Sequence, residues 1–252
     1  MNIRIMLLSF VISSALNLGF AQSPDSTKKA LTLAGSALVT HNGINLVPTF
    51  SLNKPAAMFK FSAGKNRLSL DPEFNFSLEG KPWYFIFWLR YKLIQTERFR
   101  LNTAGQYGLN FREMPILING SMRDGIMTER YVAGEVAPSY QLTRNLTVGI
   151  YYLHSHGLDP GTTNALDFLT LNASLSNINI ADFVQFRITP QFYYLRQDDR
   201  NGVYFTSTFA VERKGFPLSL SSIINQPLET NIIGGDKFVW NVGVVYSFEK
   251  QL

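Results

Sequence analysis

Along much of this chain, large apolar residues occupy every second position. The pattern is clearest near the end. There Phe238, Trp240, Val242, Val244, Tyr246 and Phe248 alternate with Val239, Asn241, Gly243, Val245 and Ser247. Side chains on a β-strand point alternately to its two faces, so this segment has one greasy face and one small or polar face. Aromatics stand at both ends of the greasy face and aliphatics between them. That order suits a strand crossing a bilayer, with an aromatic girdle at each interface. The alternation recurs. Over 67–78, Leu68, Leu70, Pro72, Phe74 and Phe76 face away from Arg67, Ser69, Asp71, Glu73 and Asn75. Over 182–195, Val184, Phe186, Ile188, Pro190, Phe192 and Tyr194 face away from Gln185, Arg187, Thr189, Gln191 and Tyr193. Segments 98–112, 145–152 and 203–212 repeat it.

Turn-forming clusters punctuate these runs at Gly64-Lys65-Asn66, Glu79 to Pro82, Thr143-Arg144-Asn145, Ser176-Asn177, Asp198 to Gly202 and Arg213-Lys214-Gly215. Twelve strands are expected, near 29–40, 56–63, 67–78, 82–92, 98–111, 128–140, 145–154, 165–175, 182–196, 203–213, 216–226 and 237–248. An even count puts both termini on one side. The connections near 64–66, 93–97, 141–144, 176–181 and 213–215 are then the short periplasmic ones. Those near 41–55, 79–81, 112–127, 155–164, 197–202 and 227–236 are the outer ones, and most are longer. The fold expected is all-β: a transmembrane up-and-down antiparallel β-barrel of about 12 strands. Residues 45–52 read either as an extra strand or as a loop. We expect a first outer loop, with folding into the barrel mouth as one option.

Alternation alone does not say which face is wet. Composition does, because charged residues make up only 16% of the chain and aromatics 13%. A soluble barrel would need a charge-rich exterior, so lipid is expected outside. The N-terminus agrees. Arg4, an apolar run from Ile5 to Leu18 and small residues up to Ala21 make a secretory signal peptide. The expected organisation is a signal peptide over 1–21, a short periplasmic segment over 22–28 and the barrel over 29–252. Beyond the signal no apolar stretch reaches the ~20 residues of a membrane helix, so a membrane location implies a closed barrel. The chain has no cysteine, which excludes disulfides and thiolate metal sites. The net charge of +5 is spread along the chain, without the basic block of a nucleic-acid binder.

The Lys81-Pro-Trp turn entering Phe85-Ile-Phe-Trp-Leu-Arg-Tyr-Lys92, with the closing Trp240-Asn-Val-Gly-Val-Val-Tyr-Ser-Phe248, resembles the porin-like outer-membrane β-barrel proteins of Bacteroidota-type bacteria. The resemblance implies the barrel fold and an outer-membrane location. Implied surroundings are outer-membrane lipid, lipopolysaccharide and, during biogenesis, the barrel-assembly machinery. No catalytic residue, substrate or cofactor comes with it.

Function is expected on the inner face. The lumen-lining candidates are Lys60, Arg67, Asp71, Glu73, Arg90, Lys92, Arg98, Arg100, Glu135, Gln185, Arg187, Gln191, Glu212 and Asn241. Gln106 has the same parity. Two readings stand. The charges either brace a filled lumen as ion pairs, or ring a narrow pore for small hydrophilic solutes. Arg90, Lys92, Arg98 and Arg100 gather toward one end and would favour anionic solutes. Trp88, Tyr84, Tyr151 and Tyr193 would narrow the path. An alternative is a lipid-modifying hydrolase using His154 or His156 at the outer rim, since histidine is the usual base for a serine nucleophile. Ser155 has the opposite parity, so the adjacent residues do not form that pair. Two histidines without a third ligand make no metal site. A structural or partner-binding barrel is the third class.

Overall fold

The computed structural model describes residues 30–118 and 121–252, with side chains undescribed over 116–120. The expected signal peptide and the segment 22–28 lie outside the described residues. The described chain is almost entirely strand: β1 (Thr32–Thr40), β2 (Ala56–Lys65), β3 (Leu68–Ser77), β4 (Pro82–Gln95), β5 (Phe99–Ile118), β6 (Ser121–Gln141), β7 (Leu146–Gly157), β8 (Leu166–Ala181), β9 (Val184–Gln197), β10 (Arg200–Arg213), β11 (Leu218–Thr230) and β12 (Val239–Gln251). Each strand pairs antiparallel with its sequence neighbours. β1 closes the barrel on β12, from Thr32 opposite Gln251 to Thr40 opposite Gly243. Closure leaves the wall no edge strand.

The twelve expected strands are all present, and each alternation resolves as expected. On β12 the even residues from Trp240 to Phe248 are exposed on the outside, while Asn241, Gly243, Val245 and Ser247 are buried inside. Leu70, Leu89, Ile150, Leu171, Phe192 and Leu220 continue the exposed apolar surface around the barrel. Aromatic pairs across neighbouring strands, such as Phe74 with Phe85 at 5.3 Å and Phe85 with Phe111 at 4.9 Å, knit that surface together. No helix among the described residues is long and apolar enough to cross a membrane, which says nothing of strands.

One end of the barrel, the turn end, carries both ends of the described chain and short connections. The other, the loop end, carries the longer ones. Several turns need left-handed backbone, which Asn66 (φ 60°) and Asp198 (φ 52°) supply with short polar side chains that tolerate it.

Two connections differ from expectation. The stretch expected as an outer loop over 112–127 is mostly strand. β4 pairs with β5 only as far as Tyr84 opposite Asn110, and β7 with β6 only as far as Gly157 opposite Tyr131. Beyond that level β5 and β6 pair only with each other, up to Ile118 opposite Ser121, and stand clear of the wall as a two-stranded ribbon. Outside the wall no face is wetted by a lumen, so the sequence there loses its alternation. The stretch over 176–181 is likewise strand, with irregular pairing between Leu175 and Ile178 and with Asn177 left-handed.

Residues 41–55 are a loop, not a thirteenth strand, with a single 3-10 turn at Pro48–Phe50. The loop folds into the barrel. Ile44 and Leu46 are buried with Tyr151, Phe168, Tyr193, Leu195, Tyr204 and Ile223, which point inward from the loop-end half of the wall. Leu52 packs against a second cluster of Leu38, Met58, Trp83 and Tyr84.

Candidate functional site

The lumen has two zones. The turn-end half is lined by small and charged side chains, including Ser36, Ser62, Ser69, Ser219, Ser221 and Ser247 from β1, β2, β3, β11 and β12. Arg90 lies at its centre. Its Nε meets Asp71 Oδ2 at 3.0 Å on β3, and its Nη1 donates to Glu135 on β6. Arg90 reaches past β5 because Ala104, opposite both Arg90 and Glu135, is small. Asp71 also accepts from Ser62 at 2.6 Å and Ser69 at 3.1 Å, and Glu135 from the Tyr151 hydroxyl at 2.7 Å. The guanidinium lies 4.3 Å over the Trp88 ring. Lys60 and Glu73 pair at 3.4 Å beside it, and Arg187 and Glu212 at 2.8 Å on the far wall. Charges so enclosed are tolerable only when paired and hydrogen-bonded.

Gln185, Gln191 and Asn241 also face inward, as expected. Asn241 has a different duty from lining. Its Oδ1 accepts from the Ile223 amide and its Nδ2 donates to Asn42 O at 2.9 Å, which anchors the base of loop 41–55. Two candidates fall elsewhere. Arg67 and Arg98 sit in the turns after β2 and β4 and are exposed, and Arg67 donates to Leu93 O. Their apparent parity was that of strands β3 and β5, each of which begins one residue later. The expected cluster of four bases is therefore thinner. Arg90 is held by two carboxylates, Arg98 is outside, and Lys92 and Arg100 remain half-buried on inward positions near the turn end.

The loop-end half is lined mainly by apolar side chains. Loop 41–55 is tied across it by wall side chains. Trp83 Nε1 donates to Phe50 O at 2.7 Å, Tyr193 OH to Leu46 O at 3.0 Å, and Gln197 Nε2 to Thr49 at 2.9 Å. Gly43 makes the fit possible, since a Cβ there would come within 2.9 Å of the Trp83 ring. Between the loop and strands β4 to β8 lies a cavity of about 120 Å³, lined by Phe50, Trp88, Gln106, Tyr131, Tyr151 and Phe168 among others. The inward aromatics were legible in the sequence, but not that they form an apolar chamber with the loop. Ile44, Leu46 and Phe50 in a stretch without period were the available signal.

His154 and His156 point outward at the loop-end rim, as their parity required, and Ser155 points inward. His154 Nδ1 lies 2.8 Å from Asp167 Oδ1, and Asp167 also holds Tyr152 OH and Arg196. Asp167 offers only acceptors when ionised, so His154 carries its proton on Nδ1 and leaves Nε2 outward. In the neighbouring loop Asp159 takes three contacts from the Arg130 guanidinium and one from the Arg130 amide, which hold its carboxyl below the ordinary aspartate value. No cluster of three metal-ligating side chains occurs among the described residues.

No family model and no curated protein matches the sequence. Among solved structures, the chain is similar to the KdgM porin at 11% identity, over 85% of this chain and 99% of that one, with a TM-score of 0.53. It is also similar to the NanC porin at 12% identity, over 88% of this chain and all of that one, with a TM-score of 0.51. At such identities the likeness is one of fold.

Proposed function

We propose that this barrel sits in a bacterial outer membrane and acts as a porin-like channel of small bore, with loop 41–55 as its constriction. The apolar outside supports the location, since a contiguous exposed surface of this extent on a closed barrel needs lipid against it. The likeness to two porins agrees. One observation carries the channel reading above the braced one: the wall does not close the lumen by itself. Its turn-end half is lined by serines and paired charges, and in the other half a separate loop packs among the inward wall aromatics. Small hydrophilic solutes would enter the wet half, and Lys92 and Arg100 give its mouth a mild preference for anions.

Planar-bilayer conductance of the refolded protein tests this. We expect small unitary steps that grow when residues 44–51 are replaced by a short Gly-Ser linker. A silent wild type and a silent loop variant would favour the braced, structural barrel. A second reading, hydrolysis of outer-leaflet lipid at the rim, has the His154–Asp167 bond in its favour. It ranks behind because Ser155 faces the lumen. Fatty-acid release from mixed micelles that disappears in His154→Gln would raise it.

A further inference from the structure

The cavity beneath loop 41–55 has a composition that selects a ligand. We infer that it binds a small, neutral, planar aromatic molecule carrying one hydrogen-bonding group. This rests on the channel reading and narrows its solute class. Trp88, Tyr131, Tyr151 and Phe168 bring ring faces from four strands, and Phe50 adds one from the loop. Flat rings stack on such walls. The size, about 120 Å³, is close to the ~150 Å³ of an apolar cavity that admits benzene, so it suits a molecule built on one aromatic ring.

The polar groups around the cavity are mostly engaged already. Tyr131 OH and Asn110 Nδ2 donate to Glu129, and Tyr151 OH to Glu135. Gln106 is different. It projects inward from β5 into the same lining, and its carboxamide has no hydrogen-bond partner among the described residues. An amide offers both donor and acceptor, so it can meet a carbonyl or a hydroxyl. A sugar would need a partner for each of its several hydroxyls, and beyond Gln106 this mostly apolar wall offers few, the Trp88 Nε1 and the Ser155 hydroxyl among them. An ion would lose its hydration against rings.

Acetophenone and ethylbenzene, alike in shape but not in polarity, separate these terms. Calorimetric titration of the refolded protein in detergent, with empty micelles as the blank, should show saturable one-to-one binding of acetophenone. Gln106→Leu should weaken acetophenone about fivefold, the worth of one neutral hydrogen bond, and leave ethylbenzene unchanged. Gly108 faces the cavity with only the Gln106 side chain close to its missing Cβ, so Gly108→Phe should fill the space and abolish both. A retained heat-dependent gel shift would show that this variant is folded. The inference is overturned if acetophenone does not saturate, if Gly108→Phe binds it normally, or if methyl α-glucoside binds as tightly. These outcomes are independent of conductance. A silent bilayer with intact acetophenone binding would sink the channel reading alone. An active channel without binding would sink this inference alone.

Discussion

Arg90 does more than any other single side chain to hold the lumen. It joins β3, β4 and β6 through Asp71 and Glu135, both buried. Removing one partner of such a cluster leaves charges without compensation, which is worse than never having placed them there. Arg90→Met should therefore lower unfolding stability in detergent by about 3–5 kcal/mol. Restoring neutrality with Asp71→Asn and Glu135→Gln alongside should recover much of the loss, as followed by denaturant titration. A purely steric role for Arg90 would leave the triple variant no better than the single one. The rim offers a pH test. The carboxyl of Asp159 is held below its ordinary value, so the tie to Arg130 is intact above that value and is lost as pH falls below it. The protection factor of the Leu158 amide against hydrogen exchange, an amide that bonds Arg130 O, should fall on acidification below about pH 4 and hold on alkalisation. Unchanged exchange across that range would mean the ion pair does not hold the loop.

At the scale of elements, the strands were legible and the connections much less so. A strand with lipid on one side and a wet or packed lumen on the other must alternate, and that requirement wrote itself into all twelve. β12 shows it best, because its outward row is wholly large and apolar. Val242→Arg should cost ~2–4 kcal/mol at the middle of the bilayer, whereas Gln185→Arg, inward near the turn end, should be tolerated in refolding yields. Asn241→Arg should not be tolerated, although it too points inward, because Asn241 bonds both Ile223 and loop 41–55. The loop itself obeys no period. Its place is set by partners distant in sequence, Trp83, Tyr193 and Gln197, which no local pattern announces. Gly43→Val should expel it by clashing with the Trp83 ring and the Ala56 side chain, while leaving the strand pairing of the wall in place. The measured outcome should be larger conductance with an unchanged heat-dependent gel shift.

For the whole molecule, parity separated inside from outside correctly but could not divide the inside along its length. Tyr84, Trp88, Tyr151 and Tyr193 were visible as inward residues. That Tyr84, Tyr151 and Tyr193 meet loop residues depends on closure, which sets β4, β7 and β9 around one lumen. Parity also ran past strand ends and so placed Arg67 and Arg98 in the lumen. On the proposed channel reading, Lys92 and Arg100 would give the turn-end mouth a modest positive field. Anion preference should be small at low salt and fade as salt screens it. Lys92→Glu with Arg100→Glu should reduce or reverse it, while Arg98→Glu, in an exposed turn, should leave it nearly unchanged. Reversal potentials under a salt gradient report both.

The ribbon formed by the far ends of β5 and β6 extends about eight residues past the wall on each strand, some 25 Å at the usual rise. It carries Arg112 and Arg123, with Met114, Met122, Ile126 and Met127 exposed. It is braced to the body by the Lys81–Glu113 pair, both ends of which are solvent-exposed. In the proposed orientation it would be the part of the chain farthest from the cell. Trypsin added to intact cells would reach those arginines first, while the closed wall below stays uncut. The ribbon thus serves as a built-in marker of sidedness. Two fragments that still co-migrate without heating would record that the loops face the outside world.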